Sequence, residues 1–253
     1  MRICSLASGS RGNSIFIESN DSRILIDAGL SALKIKTSLI SIGIEPNSID
    51  AIVITHAHRD HVNGVGVFSH QFKTQVWGHP DTLDRLTYLF KRNHNINPWS
   101  GNFRIKDLVL VPFAVSHDAK PTVGYQIKSN NKTIVVCTDL GMASSEVENN
   151  LSKANLLVIE SNHDPDMLRT GPYPIELKNR ISSKVGHLSN YDTGNVLKNI
   201  LNQKMEKILL AHLSEENNNK DLAKNTILDY IGIRFEDQIA IFEQRKISPI
   251  FQI

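Results

Sequence analysis

Six consecutive residues, His56-Ala57-His58-Arg59-Asp60-His61, hold three of the ten histidines in this 253-residue chain. They follow directly on Ala51-Ile52-Val53-Ile54-Thr55, an apolar, β-branched run that reads as a buried strand. Residues i and i+2 of an extended segment share a face, so His56 and His58 can address one ion. Asp60 and His61 follow as the chain turns towards residues 62–69, and can serve a second ion beside the first. Imidazole combined with carboxylate suits zinc, manganese or iron. A solvated polar loop is the plainer reading of such residues, but an H-x-H-x-D-H pattern at the end of a buried strand favours the metal.

The elements that must position this cluster alternate along the whole chain. Residues 3–7, 14–18 and 23–27 form short β-branched or alternating runs, so they read as strands. The first two are joined by Ser8-Gly9-Ser10-Arg11-Gly12-Asn13, a loop too polar to be buried. Residues 31–42 carry leucine and isoleucine at helical spacing and end at Gly43, a fitting cap. Residues 50–55 predict a strand and 81–91 an amphipathic helix. Further strands are predicted at 108–115, 122–127, 133–137, 156–160, 208–211 and 238–242, and helices at 145–151, 174–183, 193–201 and 221–231. The asparagine patches 130–131 and 217–219 read as turns. Hairpins interleaved with helices imply a sheet-on-sheet core covered by helices, in one domain over residues 1–253.

Composition narrows the function classes. The 28 Lys+Arg against 26 Asp+Glu give a net charge of +2, without the basic footprint of an obligate nucleic-acid coat protein. A local basic groove is still permitted. Hydrophobic residues make up 40%, which excludes wholesale disorder. No apolar run is long enough to span a bilayer, and Met1-Arg2-Ile3-Cys4-Ser5 does not open a signal peptide. Cys4 and Cys137 are too few for a disulfide framework and sit in strand-like runs. They read as reduced, buried thiols of a cytoplasmic protein.

The metal-type cluster resembles the signature of the metallo-β-lactamase superfamily, and other segments match the family's remaining positions. Asp27 in Leu25-Ile26-Asp27-Ala28-Gly29 matches its early aspartate. His117 in Val115-Ser116-His117-Asp118, Asp139 in Cys137-Thr138-Asp139-Leu140-Gly141 and His212 in Leu210-Ala211-His212-Leu213-Ser214 match the later motifs. The resemblance implies an α+β fold, the four-layered αββα sandwich, with the site at one edge of the sheets. It also implies two divalent metal ions, zinc or manganese. His56, His58 and His117 would hold one, Asp60, His61 and His212 the other, and Asp139 would bridge them. Asp27 would orient a ligand imidazole. Two ions roughly 3.5–4 Å apart can share a hydroxide and clamp a phosphate or carbonyl oxygen.

The branch within the superfamily sets the reaction. Flavo-diiron oxidoreductases have glutamate at the position of His58, and antibiotic-hydrolysing lactamases use cysteine at that of Asp139, so both activities are disfavoured. Phosphodiester hydrolysis and thioester hydrolysis of the glyoxalase II kind remain. Ser5-Leu6-Ala7-Ser8-Gly9-Ser10, Glu160-Ser161-Asn162-His163-Asp164, Gly171-Pro172-Tyr173-Pro174 and Gly186-His187-Leu188-Ser189-Asn190 are similar to the YycJ/WalJ-type branch of small bacterial metallo-hydrolases. Arg11 departs from that branch, where the position is commonly small. The resemblance implies a 5′-to-3′ exonuclease, with DNA favoured over RNA as partner and no membrane. Asp60 and His187 are then the candidate catalytic residues, with His187 donating a proton or contacting phosphate. Ser8, Asn13 and His163 are candidates for substrate contact or ligand support. The loop at 8–14 can present N–H groups and hydroxyls to phosphate oxygens, or be a plain hairpin turn. Arg11, Lys120, Lys178, Arg180 and Lys184 could form a DNA track, although scattered cations usually make a solvated face. His70, His79 and His94 lack motif support and read as surface or core residues.

Overall fold

The computed structural model describes residues 1–90 and 95–253. The expected helix end at Lys91 and the residue His94 lie outside the described residues. Seven strands make the first sheet: β1 (Arg2–Ala7), β2 (Ser14–Glu18), β3 (Arg23–Ile26), β4 (Ala51–Val53), β5 (Gln75–Gly78), β6 (Ile96–Pro98) and, at its other edge beside β1, β14 (Phe251–Gln252). The second sheet runs in the order β13 (Ile239–Ile241), β12 (Lys207–Ala211), β11 (Leu156–Glu160), β10 (Lys132–Cys137), β9 (Val123–Ser129), β8 (Leu108–Ala114) and β7 (Phe103–Ile105). From β3 to β6 the first sheet is parallel, as is the second from β10 to β13. Parallel strands are covered on both faces, which is why β3, β4 and β11 read as unbroken apolar runs.

Three apolar clusters define four layers. The middle one lies between the sheets, with Ile15, Ile24 and Val53 facing Leu110, Tyr125 and Val158. A second packs the first sheet against helices α1 (Ala32–Ser41), α3 (Val65–Phe72) and α4 (Pro80–Arg85). The third packs the second sheet against α5 (Ser145–Leu151), α8 (Asn190–Ile200) and α9 (Lys220–Ile231). This is the αββα sandwich expected of the sequence. Three short helices complete the chain: α2 (Arg59–Val62), α6 (Pro165–Thr170) and α7 (Ile175–Ile181). Among the described residues no helix is long and apolar enough to cross a membrane. Cys4 and Cys137 are free and buried.

Several boundaries differ from the expected ones. The helix expected at 81–91 starts earlier and stops at Arg85, followed by a 3₁₀ turn at Thr87–Leu89. His79 caps it by accepting from Asp81 N, and Thr87 Oγ1 bonds back to Asp84 O, the local competition that shortens helices. Strand β4 ends at Val53 instead of Thr55 because the Thr55 N–H leaves the ladder for a side chain, Asp27 Oδ1. Asn130 and Asn131 do form a left-handed turn. The turn expected at 217–219 is instead an anchored junction. Asn217 and Asn218 are buried, Asn218 Nδ2 donates to Ser161 O, Asn162 O and Asn190 Oδ1, and Asn219 caps α9. The short strands β5, β6 and β7 carry too little alternation to be read from sequence.

Candidate metal centre

Every sequence-predicted ligand lies where a strand or its following turn ends, on one edge of the sandwich. Strand β3 delivers Asp27, β4 delivers His56 and His58, β8 leads to His117, β10 to Asp139 and β12 to His212. Asp60 and His61 come from α2. Three of these residues, Asp27, Asp139 and His212, have positive φ (60°, 58° and 57°). Aspartate and histidine tolerate this region better than most side chains, yet it remains strained, and such residues cluster at functional sites. Immediately after a strand, the left-handed turn aims the side chain at the edge instead of across the sheet. Gly29 permits the closest approach: a Cβ there would meet Asp60 O at 1.6 Å. The loop and helix are further tied by Asn13 N to Asp60 O at 2.7 Å and Ala28 N to His61 O at 2.8 Å.

The histidine hydrogen bonds settle which nitrogens face inward. His61 Nδ1 donates to Asp27 Oδ2 at 2.7 Å. Thr55 Oγ1 donates to that same carboxylate and accepts from His56 Nδ1 at 3.0 Å. His117 Nδ1 donates to Gly186 O at 3.1 Å, and His212 Nδ1 to Glu160 Oε1 at 2.8 Å. Each of the four rings thus commits Nδ1 to an acceptor behind it and turns the Nε2 lone pair to the centre. His58 is reversed: its Nδ1 lies 3.3 Å from His117 Nε2, and its Nε2 3.3 Å from Asp118 Oδ1.

Two trios of donor atoms result, His56/His58/His117 and Asp60/His61/His212, with the members of each within 4.8 Å of one another. Asp139 sits between them, Oδ2 at 3.3 Å from His61 Nε2 and Oδ1 at 3.6 Å from His212 Nε2. His56 Nε2, His212 Nε2 and Asp139 Oδ2 are buried without a hydrogen-bond partner. Other buried atoms without a partner are scattered through the fold, but these three belong to donor groups that gather at one point. Cations would satisfy all of them, so the donor set fits two divalent metals.

The electrostatics point the same way. Burial favours neutral carboxyls, yet the rings of His212, His61 and His56 hold Asp139 well below the usual carboxylate range. Against the same burial, His187 and His212 bring Glu160 down to about 2. Conversely, burial opposes charge on His212, but Asp139, Asp60 and Glu160 lift it to about 10. His61 is raised by Asp139 and Asp27 despite its burial. These carboxylates draw positive charge strongly enough to overcome desolvation, which is the field a cation site requires.

Beside the centre opens a cavity of about 200 Å³, with His117, His187 and His212 on one wall and Ser10, Tyr173 and Arg180 on another. His187 Nδ1 donates to Glu160 Oε1 at 2.7 Å, so its Nε2 is the nitrogen left for the cavity. Asn13 Nδ2 lies 3.2 Å from Asp60 Oδ2 and 2.9 Å from His61 Nε2, and Ser8 Oγ accepts from His212 N at 2.8 Å. Ser8 therefore braces His212 from behind, whereas the Asn13 amide stands at the inward-facing side of Asp60 and His61. Of the two readings of the loop at 8–14, cradle or hairpin turn, the Gly9, Gly12 and Asn13 N–H groups fit the turn, since all three bond within the protein, while Ser10 lines the cavity. His163 is buried and does not line the cavity; burial pulls its ring down to about 4. Of the five cations considered for a DNA track, Arg180 reaches the cavity, held by Asp118 Oδ2 at 2.6 Å. Arg11 pairs with Glu215, and Lys178 bonds Arg169 O.

Three residues without an assigned role in the sequence reading turn out to organise the site: Thr55, Asp118 and Glu160. Only Glu160 left a sequence signal, a lone carboxylate closing an apolar strand. Fully buried, it accepts from His187, His212 and the backbone N–H groups of Leu140 and Leu188. Glu160→Gln should retain the fold but lower metal affinity or turnover about 10–100-fold, the usual effect of losing a carboxylate behind a ligand histidine. Metal analysis after dialysis checks this, and unchanged affinity and rate would remove Glu160 from any supporting role.

Residues 22–212 match the β-lactamase superfamily domain. Exodeoxyribonuclease WalJ of Streptococcus pneumoniae serotype 2 is 38% identical over 233 residues, covering 90% of this chain and 87% of its own length. Exodeoxyribonuclease YycJ of Bacillus anthracis is 34% identical over 230 residues, 88% of this chain and 86% of that one. Among solved structures, the metallo-β-lactamase fold protein YhfI from Bacillus subtilis superposes with a TM-score of 0.78 over 98% of this chain and 100% of its own, at 16% identity, a likeness of fold.

Proposed function

This chain belongs to the metallo-β-lactamase superfamily, in the group of the exodeoxyribonucleases WalJ and YycJ, and from that premise we propose that it is a metal-dependent exonuclease that shortens DNA from its 5′ ends. The observation that carries the reading is the convergence of buried, unpartnered His56 Nε2, His212 Nε2 and Asp139 Oδ2 beside a cavity that ends at His187.

His56, His58 and His117 would hold one ion and Asp60, His61 and His212 the other, with Asp139 shared. Five imidazoles and two carboxylates suit zinc or manganese. When bound, such a pair supplies an activated water and neutralises charge on the phosphoryl oxygens. The protein's own groups do the rest. Asp27, Thr55, Gly186 O and Glu160 fix the ligand rings and so preorganise the donor set. Asn13 steadies Asp60. Arg180 offers a guanidinium to a substrate phosphate, and Asp118 holds it in place. His187, oriented through Nδ1 by Glu160, donates a proton from Nε2 to the departing 3′ oxygen. Reduced, buried Cys4 and Cys137 suit a cytoplasmic location.

Closed-circular and linear duplexes of one sequence, with and without a 5′ phosphate, test the reading in a panel of divalent metals. Nucleotides should be released from linear DNA, faster when the 5′ end is phosphorylated, and circles should persist. Equal cleavage of circles would mean an endonuclease. Turnover of a glutathione thioester with no nucleolysis would replace the phosphodiester reading.

A further inference from the structure

The edge that carries the metal centre continues past it. Strands β3, β4, β5 and β6 lie side by side and parallel, so their carboxyl ends emerge together and deliver Asp27, His56, His79 and Trp99 in that order. At about 4.8 Å per strand, β6, which Trp99 follows, lies roughly 10 Å along the edge from β4, which leads to His56. Opposite them runs the segment between β8 and β9 that bears His117. It is pinned by Val115 N to Thr122 O and by Val123 N to Thr55 O, and it carries Lys120. Between the two walls is a cleft of about 740 Å³ lined by His79, Arg85, Trp99, Phe113 and Lys120. Nothing in the metal chemistry uses it.

Trp99 is held as a platform. Its Nε1 donates to Tyr125 Oη at 3.3 Å, and that hydroxyl donates to Ile54 O at 2.7 Å. The ring lies parallel to Phe103 at 6.2 Å, and Phe103 stacks on Trp77 at 5.0 Å. His79 meets it edge-on at 5.2 Å. Arg85 and Lys120 are exposed and make no ion pair among the described residues. Asp81 also lines the cleft, its Oδ2 3.9 Å from His79 Nδ1. Trp99 packs at the rim of the inter-sheet core and shares its cleft with two exposed cations that make no ion pair among the described residues.

We propose that this cleft binds the single-stranded run of DNA adjoining the scissile phosphodiester, with a base stacked at Trp99 and phosphates on Arg85 and Lys120. The proposal rests on the exonuclease reading. Fixed aromatics beside unpaired cations are how proteins hold single strands without reading sequence. The roughly 10 Å between β4 and β6 leaves room for about three steps of a stacked strand at roughly 3.4 Å each.

Binding to metal-free protein in chelator tests it apart from turnover. The chain has two tryptophans, so Trp77→Phe leaves Trp99 as the reporter. Titration with an eight-nucleotide oligothymidylate should quench its fluorescence. Lengthening the probe from two to eight nucleotides should tighten Kd at least tenfold, the scale of one base–aromatic stack plus phosphate contacts. Trp99→Leu, Lys120→Glu and Arg85→Glu should each erase most of that gain. Lys120 and Arg85 are surface residues, so those two variants decide the matter if Trp99→Leu fails to fold. Variants that bind the eight-mer like wild type, while wild type still degrades DNA, overturn the cleft alone. A wild type inert towards every DNA overturns the exonuclease reading and the cleft with it.

Discussion

Replacing Asp139 by alanine should reduce turnover to background and weaken both metals while leaving the chain folded. The carboxylate stands between the two donor trios, 3.3 Å from His61 Nε2 and 3.6 Å from His212 Nε2, and its Oδ2 makes no hydrogen bond that the fold depends on. Among the described residues no other carboxylate is placed to touch both trios: Glu160 reaches only the Nδ1 side of His212, and Asp60 belongs to one trio. The φ of 58° puts alanine at a disadvantage of about 1–2 kcal/mol, small against the stability of a domain this size. Removing a buried charge works in the opposite direction. Asp139→Asn is the companion variant, since asparagine accepts the left-handed turn without strain. Metal content after dialysis, read beside a thermal melt, settles the role. Two metals retained with normal activity would take Asp139 out of the site.

Loss of the His187 imidazole should lower kcat by about 10²–10⁴-fold, the usual range for a general acid, with both metals still bound. Seven other residues already supply the two trios and the residue between them, and His187 faces the cavity with Nδ1 engaged by Glu160. If it protonates the departing 3′ oxygen, the effect should depend on the leaving group. A nitrophenyl phosphodiester expels a stable anion and should be largely spared in His187→Ala, whereas ordinary DNA should not. Equal losses on both substrates would assign His187 to phosphate binding. Loss of one metal equivalent would make it a ligand, a role left open by its place in a cluster with Asp139, Glu160 and His212.

The sequence disclosed ligand types more readily than their supports, for a physical reason. His56, His58, Asp60 and His61 are neighbours, so their spacing alone marks them, whereas Asp27, His117, Asp139 and His212 each close an apolar run and are picked out only by the resemblance to the superfamily's other motifs. Thr55, Asp118 and Glu160 act through contacts between strands distant in sequence, and no local pattern announces such a convergence. The loop at 8–14 shows a different limit. Its glycines and serines allow a phosphate cradle or a hairpin turn alike, because composition cannot say whether an N–H faces solvent or the protein, and here those of Gly9, Gly12 and Asn13 face inward. The layered architecture was legible from strand and helix alternation, while short edge strands such as β6 and β7 borrow their order from a neighbour and leave almost no periodic trace.

The order in which the ligands occur along the chain has a consequence for synthesis. One trio is finished only when His117 joins His56 and His58, and the other waits for His212, whose backbone N–H then docks on Ser8 Oγ near the opposite end of the chain. A chain that ends before β12 therefore owns one complete trio, and its β11 still lacks β12 as a neighbour. An activity that needs both trios is thus completed only late in synthesis, because a product terminated before residue 212 lacks a donor of the second trio.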